Sequence, residues 1–398
     1  MPLGSLREPR DLDSLGGERL ELGTLIPSSH YEPGPSSGHW SGLAFPVTMT
    51  GEKGEEDEED LSWDLEDLTM EELSEGQAAA RALEDTLALS SQALLRTEVE
   101  DLYNEVRQLG QGRFGRVLLV THRQRGTAMA LKLLSKASTT RQGFLYEFCV
   151  GLTLGSHPGI VATYGIGLET QTCYGFLSEP ALHGDLIALI QPKRGLPEAA
   201  AQLCAQQLSS ALEHVHSRGL VYRDLKPENV LVFEPGCRRV KLTDFGHTRP
   251  RGTLLRLAGP PIPYTAPELC GPSRRPQGLP IQPSLDAWAL GVLLFCLLTG
   301  YFPWDQPLAG EDPFYQDFLD WRASGRACDR PAPWAALSPV ADRLLGLLLD
   351  PRPRLRGPVG SVRAFLGQCW QERAGSPQLA RKREEREGEE GEQEEGAE

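Results

Sequence analysis

The chain has 398 residues, of which 40% are hydrophobic, and it carries a formal net charge of −15. Its acidic residues concentrate in two flanking stretches, residues 51–75 and 371–398, so the body between them is close to neutral. An acidic chain without a basic domain does not fit a nucleic-acid-binding protein, and its eight cysteines form no C-x-x-C pair for metal or redox chemistry.

The N-terminal segment, residues 1–75, is rich in glycine, serine, proline and acidic residues. Such a composition cannot bury enough apolar surface to offset chain entropy, so we expect this segment to be disordered. It has neither the hydrophobic stretch of a signal peptide nor a glycine at position 2 for myristoylation. We therefore expect a cytoplasmic protein with reduced cysteines.

An amphipathic helix is predicted next, over residues 76–102. Its apolar positions recur at three- and four-residue intervals among glutamate, alanine and arginine, which is the helical period. They are Leu83, Leu87, Leu94, Leu95, Val99 and Leu102. We expect this helix to dock on the domain that follows it, and a helix that binds a partner protein is the alternative.

The body of the chain changes character along its length. Residues 105–133 alternate apolar and polar positions and contain turn residues near Gly126, a pattern typical of short strands. After about residue 196 the period becomes helical, and one helix is expected to end at Gly219. Residues 287–304 carry no charge, but this length is marginal for a bilayer and the run contains glycine and proline. We interpret it as a buried core helix and expect no membrane span.

The first motif that carries chemistry is the glycine-rich stretch G-x-G-x-x-G-x-V. Its residues are Leu109, Gly110, Gln111, Gly112, Arg113, Phe114, Gly115, Arg116 and Val117. A dinucleotide-binding fold shares the glycine spacing but needs a helix after the last glycine, whereas here the chain continues as an apolar strand. Because glycine has no Cβ, its backbone amide can approach a phosphate oxygen closely. The motif therefore predicts a hairpin that covers nucleotide phosphates.

Lys132 lies at the end of the apolar stretch of residues 128–131. A lysine in a strand ordinarily points to solvent, but its spacing after the glycine hairpin suggests a cation that reaches the α- and β-phosphates. Such a lysine needs an anionic partner. We assign that role to Glu147, which lies in a helical stretch, because Glu169 and Glu179 fall in other elements.

The strongest signal is the stretch of residues 222–229, Y-R-D-L-K-P-E-N, followed by D-F-G at residues 244–246. Phosphoryl transfer to a hydroxyl needs a carboxylate that orients the hydroxyl and accepts its proton, a role that Asp224 fits. Lys226 can reach the transferring phosphoryl group. Asn229 and Asp244 supply the hard oxygen ligands that a magnesium ion prefers.

Together with A-P-E at residues 266–268, these motifs resemble the protein-kinase signature series over about residues 103–370. Shorter stretches, at residues 147–151, 246–250 and 291–296, are similar to the SH3-domain-binding kinase family. The resemblance implies an α+β, two-lobed protein-kinase fold with a small β-rich N-lobe, a larger helical C-lobe and disordered acidic tails. The second tail is residues 371–398.

The resemblance also implies how a nucleotide is held. ATP and Mg²⁺ would bind in the cleft between the lobes, with Glu179 and Ala181 in the hinge that faces adenine. Ser178 would be a small residue before the hinge, and Asp185 would lie near the ribose. Asp286 would anchor the backbone of the catalytic loop from a buried helix. Finally, Glu268 would pair with Arg354 in a buried salt bridge.

The activation segment departs from the family pattern. Prolines stand at positions 260 and 261, where serine/threonine kinases usually place a threonine, and residues 261–268 lean toward tyrosine kinases. The Lys226-Pro227-Glu228 form of the catalytic loop favours serine/threonine specificity instead. Because the loop has no hydroxyl at about residues 256–257, we predict activity that does not require loop phosphorylation, and recovery of an inactive protein on phosphorylation of Thr253 would contradict this.

These observations predict a serine/threonine protein kinase that uses ATP and Mg²⁺ and acts on a protein substrate. A pseudokinase scaffold that binds partners without phosphotransfer is one alternative, and a kinase-fold enzyme for small molecules is another. The family name suggests SH3-domain partners, but the tail after Trp370 contains only Pro377 as a ligand for them.

Overall fold

The structure is a computed structural model that describes residues 68–112, 115–257, 259–270 and 278–372. The tails that were predicted to be disordered lie outside these residues, apart from residues 68–75 and 371–372 at their inner ends. Arg113 and Phe114 of the glycine motif also lie outside the described residues.

Helix α1 spans Met70–Gln92 and therefore begins and ends earlier than the predicted residues 76–102. A capping box sets its first residue: the Thr69 hydroxyl accepts the Glu72 amide at 3.2 Å, and the Glu72 carboxylate accepts the Thr69 amide at 2.9 Å. The leucine spacing continues past the true end of the helix because the next residues form strand β1 (Leu95–Arg96) and the short helix α2 (Val99–Leu102).

The N-terminal lobe is a six-stranded sheet with the order β1-β5-β6-β4-β3-β2. Its further strands are β2 (Tyr103–Gln111), β3 (Gly115–His122), β4 (Ala128–Ser135), β5 (Thr163–Glu169) and β6 (Cys173–Ser178). All neighbours pair antiparallel except β1, which runs parallel to β5. Helix α3 (Arg141–Leu154) packs beside the sheet, and the Thr140 hydroxyl caps its first turn.

The C-terminal lobe is mainly helical. Its helices are α4 (Glu198–Ser217), α5 (Ser284–Thr299), α6 (Pro313–Ser324) and α7 (Pro339–Leu348). Its short strands are β7 (Leu220–Val221), β8 (Val230–Glu234), β9 (Arg239–Leu242), β10 (Arg249–Pro250), β11 (Leu254–Leu255) and β12 (Leu279–Pro280). The predicted two-lobed α+β architecture is thus confirmed.

Helix α5 accounts for the long uncharged run of the sequence. Its residues from Asp286 to Thr299 are all buried, and it packs against α4 and α7 at the centre of the lobe. A core helix surrounded by protein on all sides needs no polar face, so the prediction of a buried core helix is confirmed. In the part of the chain that the structure describes, no helix is long and apolar enough to cross a membrane.

Candidate active site

The glycine-rich hairpin joins β2 to β3 beside the predicted phosphate-binding lysine. Leu109, Gly110 and Gln111 end β2, and Gly115, Arg116 and Val117 begin β3. The amide of Gly112 donates to the carbonyl of Gly115 at 2.9 Å, which closes the turn. Val117 pairs with Gly110 on one side and with Lys132 on the other. This register places Val117, the last residue of the glycine motif, beside Lys132.

Lys132 lies between two carboxylates that come from different elements. Its Nζ is 2.5 Å from Oε1 of Glu147 on α3 and 3.3 Å from Oδ2 of Asp244, which follows β9. Sequence reasoning paired Lys132 with Glu147, and the structure confirms this pair. The Asp244 side chain is 40% exposed, so this side of the cluster is open to solvent.

The charges in this cluster stabilise one another. Burial alone would lower the pKa of Lys132, but the carboxylates of Asp244 and Glu147 raise it, so the amine stays protonated. Burial acts to raise the pKa of Asp244, but Lys132, His247 and Lys226 together hold it below its usual range. Burial raises the pKa of Glu147 against the opposing charge of Lys132. Glu147 is nevertheless ionised near neutral pH, because its carboxylate lies 2.5 Å from the protonated amine of Lys132.

The catalytic loop brings Asp224, Lys226 and Asn229 together. Lys226 Nζ lies 3.1 Å from Oδ1 of Asp224. The side-chain amide of Asn229 donates to Oδ2 of Asp224 at 2.7 Å and to its carbonyl at 2.8 Å. Burial acts to lower the pKa of Lys226, but the nearby carboxylates of Asp224, Glu228 and Asp244 together raise it. The Asp224 carboxylate is therefore oriented by two donors from its own loop.

The residues assigned to a metal fit that role by their donor chemistry. With its amide nitrogen bound to Asp224, Asn229 has its carbonyl oxygen left as a hard ligand. Asp244 adds an anionic carboxylate at the edge of the cleft. Its backbone φ of 58° is in the left-handed region, which is uncommon outside glycine and occurs at functional sites. This backbone conformation turns the chain after β9 and so sets the direction of the Asp244 side chain.

The hinge follows β6 and links the two lobes. The Glu179 side chain points into the protein, where Oε1 accepts the Ala162 amide at 2.7 Å and forms a salt bridge with the buried Lys241. Its backbone amide donates to the Ala162 carbonyl at 3.0 Å. The Glu179 carboxylate is therefore engaged by the protein itself. Ala181 lies two residues further along the same segment.

Asp286 on α5 holds the catalytic loop by its backbone, as the sequence predicted. Its carboxylate accepts the amide of Tyr222 at 2.8 Å and the amide of Arg223 at 2.7 Å. The ring Nε2 of His216 lies 2.8 Å from the same carboxylate. Arg223 is left-handed, with a φ of 69°, and these bonds from a fully buried side chain keep it in that conformation.

Tyr222 has a structural role that sequence reasoning did not find. Its hydroxyl donates to the carbonyl of Thr243 at 2.5 Å, directly before Asp244. The rings of Tyr222 and Phe245 pack edge to face, with their centres 5.6 Å apart. Burial raises the pKa of Tyr222 well above its usual range, so the hydroxyl keeps its proton for this bond. The departure from the commoner histidine was the only signal in the sequence that pointed to this contact.

A second group that the sequence did not reveal fastens α3 to the start of the activation segment. The hydroxyl of Tyr146, next to Glu147, donates to the carbonyl of Thr248 at 2.8 Å. The guanidinium of Arg249 lies 4.5 Å from the centre of the Tyr146 ring. Arg223 donates to the carbonyl of His247 at 2.8 Å. The segment after Asp-Phe-Gly is thus fixed by residues from both lobes.

The salt bridge of Glu268 involves a different arginine from the one predicted. Arg356 donates to both carboxylate oxygens of Glu268, at 2.9 and 3.0 Å, whereas Arg354 is exposed. The Arg356 guanidinium also lies 4.9 Å from the centre of the Trp288 ring and bonds to the carbonyl of Ser284. The prediction was wrong because Arg356, not Arg354, lies over this indole ring.

A nucleotide cleft between two lobes, with these charged groups around it, defines a protein kinase. A family model described as "Protein kinase domain" matches residues 103–364. The serine/threonine-protein kinase SBK2 of Mus musculus is 72% identical over 308 residues, which are 77% of this chain and 85% of that protein. SBK2 of Homo sapiens is 69% identical over 308 residues, covering 77% and 88%, and SBK1 of Danio rerio is 43% identical over 288 residues, covering 72% and 74%. The chain belongs to the protein kinase family, and within it to the SBK kinases.

Proposed function

We propose that this chain is a serine/threonine protein kinase that transfers the γ-phosphoryl group of ATP to hydroxyl groups of a protein substrate, with Mg²⁺ as cofactor. The observation that carries the proposal is the single cluster made by Lys132, Glu147 and Asp244, with the oriented Asp224 in the neighbouring loop. Relatives named serine/threonine-protein kinases, at up to 72% identity, support the same activity.

Asp224 is proposed as the residue that orients the substrate hydroxyl and accepts its proton. The two donors on it, from Lys226 and Asn229, keep the carboxylate in one rotamer. Lys226 can turn its ammonium from Asp224 to the transferring phosphoryl group, because both lie within reach of one flexible side chain. Positioning and charge stabilisation, rather than covalent chemistry, supply most of the catalysis in such a site.

The remaining residues are proposed to hold the nucleotide. The amides of residues 110–112 and 115–117 approach the phosphates, Lys132 neutralises the α- and β-phosphates, and the main chain of Glu179 and Ala181 faces the base. Asn229 and Asp244 would ligate Mg²⁺, which supplies charge neutralisation between the β- and γ-phosphates when it is bound. Arg113 and Phe114 complete the hairpin in sequence.

The serine/threonine preference is proposed from the catalytic loop. Lys226 lies 3.1 Å from the proposed catalytic carboxylate, in the Lys-Pro-Glu sequence typical of serine/threonine kinases. A pocket lined by Leu257, Ile262, Leu269 and Leu285 adjoins Asp224 and Lys226. Its apolar wall can take a side chain that neighbours the accepting hydroxyl in a polypeptide, which favours a protein substrate over a small molecule.

A cytoplasmic location is proposed on the basis of the cysteines. All eight are free thiols, and no two of them form a disulfide, as expected for a reducing compartment. Proline clusters at residues 260–263 and 331–333 lie within the kinase domain, and the second begins a short helical turn (Ala332–Ala336). We therefore propose a local structural role for these prolines, and SH3-domain partners rest on the family name alone.

The test compares the wild-type chain with Lys132→Met and Asp224→Asn, and with Asp317→Asn on the exposed face of α6 as a matched control. We expect ATP with Mg²⁺ to raise the melting temperature of the wild type and of the control, and both to phosphorylate serine and threonine in a peptide library. The Asp224→Asn protein is expected to fold and bind ATP but to lose phosphotransfer.

Three results would contradict parts of this assignment. Undiminished phosphotransfer by Asp224→Asn would remove the proposed role of the carboxylate. ATP binding by the wild type without any transfer would support a scaffold function instead, and transfer to tyrosine alone would reverse the proposed hydroxyl preference.

A further inference from the structure

Helix α1 lies outside the residues that match the kinase family model, yet it is built into the domain. Its buried positions are Leu73, Gly76, Ala80, Leu83 and Leu87, at alternating intervals of three and four residues. This is one continuous helical face. It packs mainly on α3, which carries Glu147 of the cluster at Lys132, and on strand β10 of the activation segment.

The contact with α3 is apolar and extends to the end of α1. Leu83 and Leu87 are 2% and 5% exposed, and they are part of the large hydrophobic core that also includes the buried residues of α3. At the end of the helix, the guanidinium of Arg141 on α3 donates to the carbonyl of Ser91 at 2.8 Å. Because α3 carries Glu147, whatever fixes α3 also fixes the partner of Lys132.

The contact with the activation segment is ionic and close. Arg251, directly after β10, forms salt bridges with Glu72 and with Glu75, the latter at 3.3 Å. A Cβ placed on Gly76 would lie 2.0 Å from the carbonyl oxygen of Arg251. Only glycine permits this approach, so α1 touches the backbone of the segment itself. The Arg251 amide in turn donates to the carbonyl of Gly219 at 2.8 Å, ahead of the catalytic loop.

These contacts meet in one junction. Tyr146 of α3 bonds to the carbonyl of Thr248, so α1, α3 and residues 248–251 each touch the other two. In kinases that are switched on by loop phosphorylation, a phosphate pairs with arginine and orders the segment. Here the anionic charges beside Arg251 come from two carboxylates of the same chain.

We propose that α1 is an activating strap: Glu72 and Glu75 are positioning residues that act through Arg251 on the activation segment, while Leu83 and Leu87 act through α3 on Glu147. The inference rests on the proposed kinase function and names how that site is regulated. It gives a physical basis for activity without loop phosphorylation. Of the two roles considered for this segment, the inference favours a helix that docks on its own kinase domain over a helix that binds a partner protein.

The sharpest variant is Gly76→Ala. Alanine forms helices better than glycine, so any loss of activity cannot come from a weaker α1. The added Cβ instead forces α1 away from the Arg251 carbonyl. The matched control is Gln77→Ala, an exposed position one residue further along. In dephosphorylated full-length protein we expect kcat to fall by about 5- to 150-fold in Gly76→Ala, the range typical of coupling between sites, and to stay unchanged in the control.

A second variant tests the charges separately. Glu72→Gln together with Glu75→Gln removes both negative charges from Arg251, and glutamine still completes the capping box of Thr69. Its control is Glu71→Gln with Asp85→Asn, two exposed acids of the same helix. We expect the first pair to lower kcat while KM for ATP stays within about twofold of the wild type, because only transition-state positioning is lost. The control pair should change neither.

Hydrogen exchange supplies a readout that does not depend on phosphotransfer. We expect faster amide exchange in α3 and in residues 248–251 of Gly76→Ala, with the exchange of α5 unchanged. A wild-type kcat in both variants, or unchanged amide exchange in α3, would contradict the proposal that α1 is an activating strap. If the wild-type chain itself transfers no phosphate, the proposed function fails, and the exchange data alone then decide whether α1 holds these elements.

Discussion

The guanidinium of Arg356 forms two hydrogen bonds with the carboxylate of Glu268, at 2.9 and 3.0 Å, and its side chain is fully buried. This pair ties the end of the activation segment to the C-terminal lobe. Removing one partner of a buried pair leaves an uncompensated charge, which costs about 3–5 kcal/mol.

We therefore expect Arg356→Ala to lower the free energy of unfolding by about that amount, and Arg354→Ala, at an exposed position, to lower it by about 1 kcal/mol or less. Urea denaturation of both variants checks this expectation. A larger loss in Arg354→Ala would restore the assignment that the sequence first suggested.

Replacement of Asp286 by asparagine tests the anchor of the catalytic loop. The carboxylate accepts two backbone amides and lies against His216, and an asparagine would turn an N–H group toward one of these donors. We expect a loss of about 3 kcal/mol in the free energy of unfolding and a lower kcat in the protein that remains folded. If Asp286→Asn kept wild-type stability, the buried carboxylate would not be holding Tyr222 and Arg223.

Gly151 lies inside α3, where glycine costs about 1 kcal/mol relative to alanine. The structure gives a reason for it: a Cβ at this position would lie 2.6 Å from Oγ1 of Thr163 on β5. We expect Gly151→Ala to destabilise the wild-type protein but to stabilise the Thr163→Ala variant by up to about 1 kcal/mol. A double-mutant cycle by thermal unfolding measures this reversal of sign, and the same sign in both backgrounds would exclude the steric explanation.

Glu179 and Lys241 form a buried pair behind the hinge. Glu179→Ala is expected to destabilise the protein by about 3 kcal/mol or more, because Lys241 is only 4% exposed and would be left unpaired. Adding Lys241→Met to that variant should recover a substantial part of the loss. Denaturation curves of the two variants give the comparison, and no recovery in the double variant would mean that Glu179 stabilises the hinge mainly through the Ala162 amide.

The charged residues around the cleft could be predicted because phosphoryl transfer fixes both their types and their spacing along the chain. The structure brings Lys132, Glu147 and Asp244 into one cluster and joins Asp224 to Asn229 by hydrogen bonds. Contacts between distant segments could not be predicted in the same way. Arg354 and Arg356 are the same residue type two positions apart, so the sequence does not distinguish them. Only the packing against Trp288 selects Arg356 as the partner of Glu268.

The first helix shows the same limit. Leucine spacing indicated an apolar face, and the capping pair Thr69 and Glu72 was present in the sequence to mark its start. The sequence did not reveal the role of Gly76, because the close approach of α1 depends on the backbone of Arg251, which is far away in sequence. Periodicity predicts that a helix has a buried face, but not which surface covers that face.

The apolar face of α1 has a practical consequence for anyone who expresses this domain. A recombinant protein that began at Tyr103, where the family match begins, would lack α1 and expose the surface of α3 on which α1 packs. Contiguous apolar surface of this kind promotes aggregation. The boundary for a soluble, crystallisable kinase fragment therefore lies ahead of Thr69, well before the residue that family similarity alone would choose.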